Sequence, residues 1–154
     1  MDFLKRADGL SLIEIMIGVA LIAILAGIGF IVSNPAGQIA GARNTERSLH
    51  LQAVMNAIRQ NMADHTGQVF SCASGALPTS TAKMATGAGN YDIASCIVPT
   101  YIITMPFDPA ASSSHYASNA DYDTGYNVLY NASTTQITLS APSAELGKSV
   151  SLTQ

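Results

Sequence analysis

A single acidic residue interrupts a long apolar stretch near the N-terminus. Residues 9–31 read GLSLIEIMIGVALIAILAGIGFI, and Glu14 is the only ionisable side chain among them. A carboxylate at the centre of a membrane costs roughly 2.5–3.5 kcal/mol, so Glu14 requires a cationic partner. If the chain were cut after Gly9, the new α-amine of Leu10 would lie about one helical turn away. That amine could pair with Glu14 of a neighbouring copy.

The apolar stretch is long enough to cross a membrane as a helix. Residues 12–32 would extend about 30 Å at ~1.5 Å per residue, which matches the hydrocarbon thickness of a bilayer. Lys5 and Arg6 precede the stretch, and no comparable basic cluster follows it directly. This asymmetry favours a cytoplasmic N-terminus and an outward C-terminal region. An ordinary signal anchor, in which Glu14 has no function, is the alternative interpretation.

Residues from Pro35 to about Asp64 have the pattern of an amphipathic helix. Apolar residues recur with helical spacing at Ile39, Leu51, Val54, Met55, Ile58 and Met62. The polar residues are interpreted as a solvated face formed by Arg43, Asn44, Glu46, Arg47, His50, Gln52, Asn56, Arg59 and Gln60. Gly67 is expected to end this helix.

The C-terminal part of the chain consists of predicted loops and short strands. Residues 71–90 lack periodicity and are rich in Gly, Ser, Thr and Ala, which predicts a loop. Strands are predicted at residues 91–97, 101–105, 125–131, 136–141 and 149–153. Two alternating runs joined through residues 131–134 predict a hairpin. The apolar side of the helix needs an apolar sheet face to cover it. We therefore expect an antiparallel sheet packed on the helix, in a ladle-shaped α+β fold.

Cys72 and Cys96 are the only cysteines of the chain. Outside the cytoplasm such a pair predicts a disulfide, which contributes on the order of 3 kcal/mol to stability. The three histidines are scattered without ligand spacing, and the P-loop, G-x-S-x-G and H-E-x-x-H motifs do not occur in the sequence. The sequence therefore does not indicate an enzyme.

The region that follows Asn61 is acidic. It carries six acidic residues against two basic ones, Lys83 and Lys148. Nucleic-acid binding is not expected, because contacts to phosphates require Lys and Arg. The tyrosines between residues 116 and 130 are interpreted as packing residues of a sheet.

The N-terminal motif resembles that of a known family. MDFLKRADG, at residues 1–9, followed by LSLIEIMIGVALIAIL resembles the prepilin signal of type IV pilins and of the pseudopilins of type II secretion systems. The resemblance implies that a prepilin peptidase cleaves between Gly9 and Leu10 and methylates the amine of Leu10. It also implies that Glu14 neutralises this amine during assembly. Leu10 departs from the family, whose members more often carry Phe at this position.

The resemblance implies three segments. Residues 1–9 are the leader peptide, residues 10–34 a transmembrane and polymerisation helix, and residues 35–154 a pilin globular domain with an amphipathic helix at 35–65 and a C-terminal sheet. A proline at the depth of Pro35 accompanies a bend or an unwound stretch in the family. We therefore expect a discontinuity between Gly27 and Pro35.

The function implied by the resemblance is structural. The chain would be a subunit of a type IV pilus-like filament, and its partners would be its own copies, the prepilin peptidase, and the assembly platform and motor. It would reside in the inner membrane as a precursor and then in the extracellular filament. A periplasmic pseudopilin of a type II secretion system is the closer alternative. A monomeric membrane-anchored binding domain is the more distant one.

No cofactor is expected, with calcium as a weak exception. Residues 106–109 (PFDP) resemble the loop before the sheet in major pseudopilins, some of which bind calcium in this region. Asp108, Asp121 and Asp123 could supply oxygen ligands, but their spacing does not match an EF-hand. Stabilisation of a turn is the favoured role for these carboxylates.

Overall fold

The computed structural model of the chain describes residues 10–66 and 69–154, and for residues 28–33 it describes the backbone alone. The predicted leader, Gly9 and Gly67 lie outside the described residues. The fold is α+β, as the sequence predicts. Its elements are α1 Leu12–Ser33, α2 Pro35–Asp64, β1 Ala82–Ala85, α3 Ala94–Ile97, β2 His115–Ser118, β3 Asp121–Asn131, β4 Gln136–Ala141 and β5 Val150–Thr153. The chain divides into two compact units, with the boundary between Gln38 and Ile39.

The helical N-terminal region is interrupted at Asn34, inside the interval where a discontinuity is expected. Asn34 is left-handed, with φ 36° and ψ 63°, a conformation that Asn tolerates better than most residues. Its Oδ1 accepts the Gly37 N–H at 3.3 Å. Pro35 suits the first position of α2, because the amide at this position has no partner within the helix. Within residues 10–66 and 69–154, no helix combines the length and the apolarity that crossing a membrane requires.

The buried side of α2 differs in part from the predicted apolar stripe. Its buried positions alternate at spacings of four and three along Ala40, Asn44, Arg47, Leu51, Val54, Ile58 and Asn61. The apolar members from Leu51 onward pack in the core, as predicted. Ile39 is 55% exposed, so it does not belong to the buried stripe. The interpretation of Asn44 and Arg47 as solvated residues is wrong, since both are buried.

One antiparallel sheet covers the apolar side of α2. The strand order is β1-β3-β4-β5, and β2 also pairs with β3. In the β3–β4 hairpin, Val128 lies opposite Leu139 and Tyr130 lies opposite Ile137. Tyr126 is buried like Val128, and the two residues share a face because they are two positions apart in β3. The central strand β3 thus joins the core of the sheet to the helix.

Two predicted strands are wrong. In residues 91–97, Tyr91 forms an isolated bridge with Met84, and the short helix α3 begins at Ala94. Here the Tyr122 hydroxyl accepts the N–H groups of Ile93 at 2.8 Å and Ala94 at 3.2 Å, so these amides do not enter a strand ladder. Residues 101–105 form turns and bends, with the N–H groups of Tyr101 and Ile102 donating to the Ile97 carbonyl.

Two short strands lie in segments predicted to be loops. Strand β1 pairs with β3 through Ala82 opposite Val128, and β2 pairs with β3 through Tyr116 opposite Tyr122. Neither Ala-Lys-Met-Ala nor His-Tyr-Ala-Ser alternates between apolar and polar residues. Their pairing is therefore decided by the long strand β3 rather than by their own sequence.

A disulfide ties the segment before β1 to α3. Cys72 and Cys96 are bonded, with their Cα atoms 5.2 Å apart. Asn61 at the end of α2 holds both sides of this link: its Nδ2 donates to the carbonyls of Ser71 at 3.1 Å and Cys96 at 3.2 Å. Its Oδ1 accepts the Ser71 N–H at 2.9 Å. The buried amide of Asn61 thus anchors the disulfide-linked segments to the helix.

Candidate functional site

The N-terminal end of α1 is organised by Ser11 and Glu14. Ser11 has an extended backbone and caps the helix. Its Oγ accepts the Glu14 N–H at 3.3 Å, and its carbonyl accepts the N–H groups of Glu14 at 3.1 Å and Ile15 at 3.2 Å. Ser and Glu three residues apart have the spacing of a capping box, so the sequence already carries a signal for this cap, which the predictions from periodicity and family resemblance missed. The cap places Glu14 in the first helical turn, where the helix dipole favours an acid.

Glu14 is exposed, and within the described part of the chain it forms no ion pair. Leu10 directly precedes the cap and is 70% exposed. The helix dipole is a weak partner for a carboxylate, since it contributes typically 0.3–1 kcal/mol. A single copy therefore leaves the charge of Glu14 available to a cation from another molecule.

Apart from Glu14, the large side chains in residues 12–25 of α1 are apolar, and they are exposed. The large apolar residues from Leu12 to Leu25 are between 53% and 79% exposed. They comprise Leu12, Ile13, Ile15, Met16, Ile17, Val19, Leu21, Ile22, Ile24 and Leu25. A helix that is apolar all round is normally buried, either in a protein core or in a membrane. This surface therefore requires a covering that the described residues of one copy do not supply.

The second notable arrangement is a cluster of charged residues in which two arginines of α2 contact acidic residues of two loops. Arg47 forms a bidentate pair with Asp108, with Nε–Oδ2 at 2.8 Å and Nη2–Oδ1 at 2.9 Å. Its Nη1 donates to Glu145 at 2.9 Å and to Asn44 at 2.8 Å. Arg43 also pairs with Glu145, with Nε–Oε2 at 2.8 Å. The cluster joins α2 to the loop before β2 and to the loop between β4 and β5.

The backbone is part of the same cluster. Asn44 Nδ2 donates to the Glu145 carbonyl at 2.9 Å, and Asn44 Oδ1 accepts the Glu145 N–H at 3.0 Å. Asp108 Oδ1 accepts the N–H groups of Ala110 at 2.9 Å and Ala111 at 3.0 Å. The predicted role of Asp108 in a turn is thus seen in the structure. Its partner Arg47 was not predicted, although Arg47 continues the spacing of the buried stripe.

The pKa values of the cluster favour its charged form. The hydrogen bonds that Arg47 donates to Asp108 outweigh the desolvation of Arg47 and raise the pKa of its guanidinium. Desolvation raises the pKa of Asp108, but hydrogen bonds from Arg47 and from the backbone have the larger combined effect. The pKa of Asp108 therefore lies below its ordinary value. Hydrogen bonds from Arg43 and then Arg47 lower the pKa of Glu145 to about 2. All four groups are charged at neutral pH and neutralise each other.

The three weak calcium candidates have separate basic partners. Asp108 binds Arg47, Asp121 accepts from His115 Nε2 at 3.0 Å, and Asp123 accepts from Lys83 Nζ at 2.6 Å. In the ranges that the structure covers, no three His, Cys, Asp or Glu side chains form a group suited to a metal ion. The structure therefore does not bring the three carboxylates together as one ligand set.

The histidines and tyrosines serve local packing and hydrogen bonding. His50 Nδ1 lies 2.9 Å from the Tyr126 hydroxyl, and His65 Nδ1 lies 2.6 Å from the Asn61 carbonyl. Tyr122 and Tyr126 are buried in the core, which confirms their interpretation as packing residues of the sheet. Burial raises the pKa of the Tyr126 hydroxyl, so this group stays protonated.

A comparison with protein families relates the N-terminal residues to a known motif. Residues 4–30 match the prokaryotic N-terminal methylation motif. The match contains the predicted cleavage position, the Ser11 cap and Glu14. No curated protein and no solved structure showed a significant match.

Proposed function

Since the chain carries the prokaryotic N-terminal methylation motif, the signature of type IV prepilins and pseudopilins, we propose that it is a structural subunit of a type IV pilus-like extracellular filament. The observation that supports this proposal is the uncovered apolar surface of α1. In a filament, the helices of neighbouring copies bury this surface against each other. In the precursor, residues 10–34 lie in the inner membrane, with the leader in the cytoplasm.

Maturation creates a cation for Glu14, which forms no ion pair within the described residues. The prepilin peptidase cuts between Gly9 and Leu10 and methylates the new amine of Leu10. The assembly motor and platform then move subunits from the membrane into the filament. In the dry interior, Glu14 of one copy pairs with the Leu10 amine of another, because leaving either charge unpaired there would cost several kcal/mol. This pairing sets the axial register between neighbouring copies.

The unit of residues 39–154, the globular unit, contributes a stable surface rather than a catalytic centre. Its buried charges are neutralised within the cluster of Arg43, Arg47, Asp108 and Glu145. We therefore assign it a structural role, with its own copies as the main partners. Nucleic acid is not a proposed partner, because the region after Asn61 is acidic.

A pseudopilin of a type II secretion system is the second candidate, because pseudopilins carry the same signature. In that role the chain would build a short periplasmic filament, and the export of an enzyme would depend on it. The two candidates differ in whether the protein is recovered from the cell surface. A monomeric membrane-anchored binding domain is a more distant candidate, and it predicts no self-association in detergent.

The decisive experiment is the intact mass and N-terminal sequence of the protein sheared from the cell surface. The proposal predicts a chain that starts at methylated Leu10 and is two hydrogens lighter than the reduced form, because Cys72 and Cys96 are bonded. A processed chain that is absent from the surface would favour the pseudopilin. A chain found only in membranes and starting at Met1 would contradict both filament roles.

A further inference from the structure

The hairpin between β3 and β4 carries a sequence motif that the filament role does not explain. Asn131-Ala132-Ser133 is the only Asn-x-Ser/Thr tripeptide in the chain whose middle residue is not proline. This tripeptide is the acceptor motif for N-linked glycans on surface loops of exported proteins. We propose that Asn131 is a glycosylation site that receives an oligosaccharide from a polyprenyl-diphosphate-linked donor.

The position of Asn131 suits a bulky modification. Asn131 is the last residue of β3, and all residues from 131 to 136 are exposed. The first buried residue beyond the turn is Ile137, which faces the core. A glycan on Asn131 would therefore extend into solvent without displacing a core side chain.

The conformation of the turn leaves the reactive atom accessible. Asn131 Oδ1 accepts the N–H groups of Ser133 at 3.0 Å and Thr134 at 3.3 Å. Among the described residues, no group accepts a hydrogen bond from Asn131 Nδ2. The two donors draw electron density toward the amide oxygen, which makes the Nδ2 protons easier to remove. The turn thus holds Asn131 Oδ1 in place and leaves Asn131 Nδ2 accessible to a transferase.

The surface beside Asn131 offers space for the first sugar. An open hollow of about 360 Å³ is lined by Thr79, Leu129, Tyr130, Asn131, Ala132 and Ser133. Hydroxyl groups of Thr79 and Ser133 and the apolar side chain of Leu129 provide the mixed polar and apolar surface that a sugar ring contacts. The hollow belongs entirely to the unit that contains the sheet.

The transfer is a substitution at the anomeric carbon of the donor. A bond forms between Asn131 Nδ2 and C1 of the first sugar, while the bond between C1 and the phosphate oxygen breaks. The polyprenyl diphosphate leaves with the electron pair, and a base of the transferase takes one Nδ2 proton. The Ser133 hydroxyl completes the motif that the transferase recognises.

The test uses the full chain purified from its own cells, from membranes and from sheared material alike. Intact mass and peptide mapping with electron-transfer fragmentation are expected to show an oligosaccharide on the peptide that contains Asn131. An unmodified Asn131 in both fractions would overturn the proposal. Because the membrane fraction is measured too, this outcome is independent of whether the chain assembles into filaments.

Three variants sharpen the test. Ser133→Ala and Asn131→Asp should reduce occupancy to background, whereas Ser133→Thr should retain it. Asn131→Asp keeps an oxygen that can accept the N–H groups of Ser133 and Thr134, so the hairpin should form and the unfolding midpoint should stay the same. A glycan that persists in Ser133→Ala, or that maps to a Ser or Thr hydroxyl, would contradict N-linked modification at Asn131.

Discussion

Arg47 and Asp108 form a bidentate ion pair whose two side chains are both fully buried. Arg47 belongs to α2, and Asp108 lies 61 residues further along the chain, in the loop before β2. Burial of two charges is costly, and it is tolerated here because both carboxylate oxygens of Asp108 accept a hydrogen bond from the Arg47 guanidinium. The pair therefore specifies which loop lies against the helix.

Removal of Arg47 should strongly destabilise the globular unit. Arg47→Met keeps an unbranched side chain but leaves Asp108 as an uncompensated buried charge, so we expect a loss of about 3–5 kcal/mol in the free energy of unfolding. Urea unfolding of the purified chain in detergent, followed by the signal of the buried tyrosines, measures this loss.

Arg59→Met is the matched control for this variant. Arg59 is on the same helix but exposed, and a substitution there should change the free energy by less than about 0.5 kcal/mol. Similar unfolding midpoints for the two variants would show that the buried pair does not hold the loop.

Acid should destabilise the protein through the same cluster. The pKa of Glu145 is lowered to about 2, and the pKa of Asp108 also lies below its ordinary value. At a pH between the folded and the unfolded pKa values of these carboxylates, the unfolded chain therefore binds more protons than the folded chain. The stability that these carboxylates contribute is complete above their unfolded pKa values and is lost as the pH falls toward about 2. Unfolding midpoints in urea between neutral and acidic pH should decrease accordingly.

Glu145→Gln isolates the contribution of one carboxylate. This variant should be less stable than the parent at neutral pH, because Arg43 and Arg47 lose a charged acceptor. Its stability should also depend less on pH in the acidic range, since one of the shifted groups is absent. An acid dependence identical to that of the parent would assign the effect to other carboxylates.

Gly125 in β3 should not tolerate a side chain. Its φ is +71°, and an added Cβ would lie 2.3 Å from Ser114 Oγ and 3.0 Å from Asp108 Cβ. Backbone strain and the steric clash together predict that Gly125→Ala lowers the free energy of unfolding by about 2–4 kcal/mol. Ser114→Gly in the same chain should restore part of this loss, because it removes the nearest atom.

Gly89→Ala separates the two causes. Gly89 also has a positive φ of +82°, but no atom lies within 4 Å of an added Cβ. This variant should show only the backbone strain, about 1 kcal/mol. If both glycine variants lowered the free energy of unfolding equally, the close approach to Ser114 would not contribute to the destabilisation.

Local patterns in the sequence were sufficient to predict several elements. The helical periodicity gave α2 nearly to the residue, because its apolar positions from Leu51 onward recur over several turns. The alternation around Val128 and Leu139 gave the β3–β4 hairpin for a similar reason. The N-terminal motif indicated a resemblance to type IV prepilins and pseudopilins, because a short leader with Lys5 and Arg6, Gly9 and Glu14 seldom occur together.

Long-range contacts determine what the sequence did not reveal. Arg47 was interpreted as solvated because its burial depends on Asp108 and Glu145, which lie far along the chain. Residues 91–97 have a strand-like composition, but the Tyr122 hydroxyl occupies the N–H groups of Ile93 and Ala94. A pattern confined to a few neighbouring residues does not contain such partners.

The last prediction concerns Glu14, whose charge has no partner within the described chain. If it pairs with the Leu10 amine of a neighbour, Glu14→Val and Glu14→Gln should both insert into the membrane normally but enter filaments poorly. The loss of an ion pair worth several kcal/mol in a dry interior predicts at least a tenfold decrease in sheared protein, since each 1.4 kcal/mol corresponds to about tenfold. Quantitative immunoblots measure the ratio of sheared to membrane-bound protein.

Ile15→Val, which shortens the adjacent apolar residue by one methylene, should leave this ratio unchanged. Normal incorporation of Glu14→Gln would exclude the charge as the determinant of register, because this substitution keeps the size of the side chain and removes only its charge.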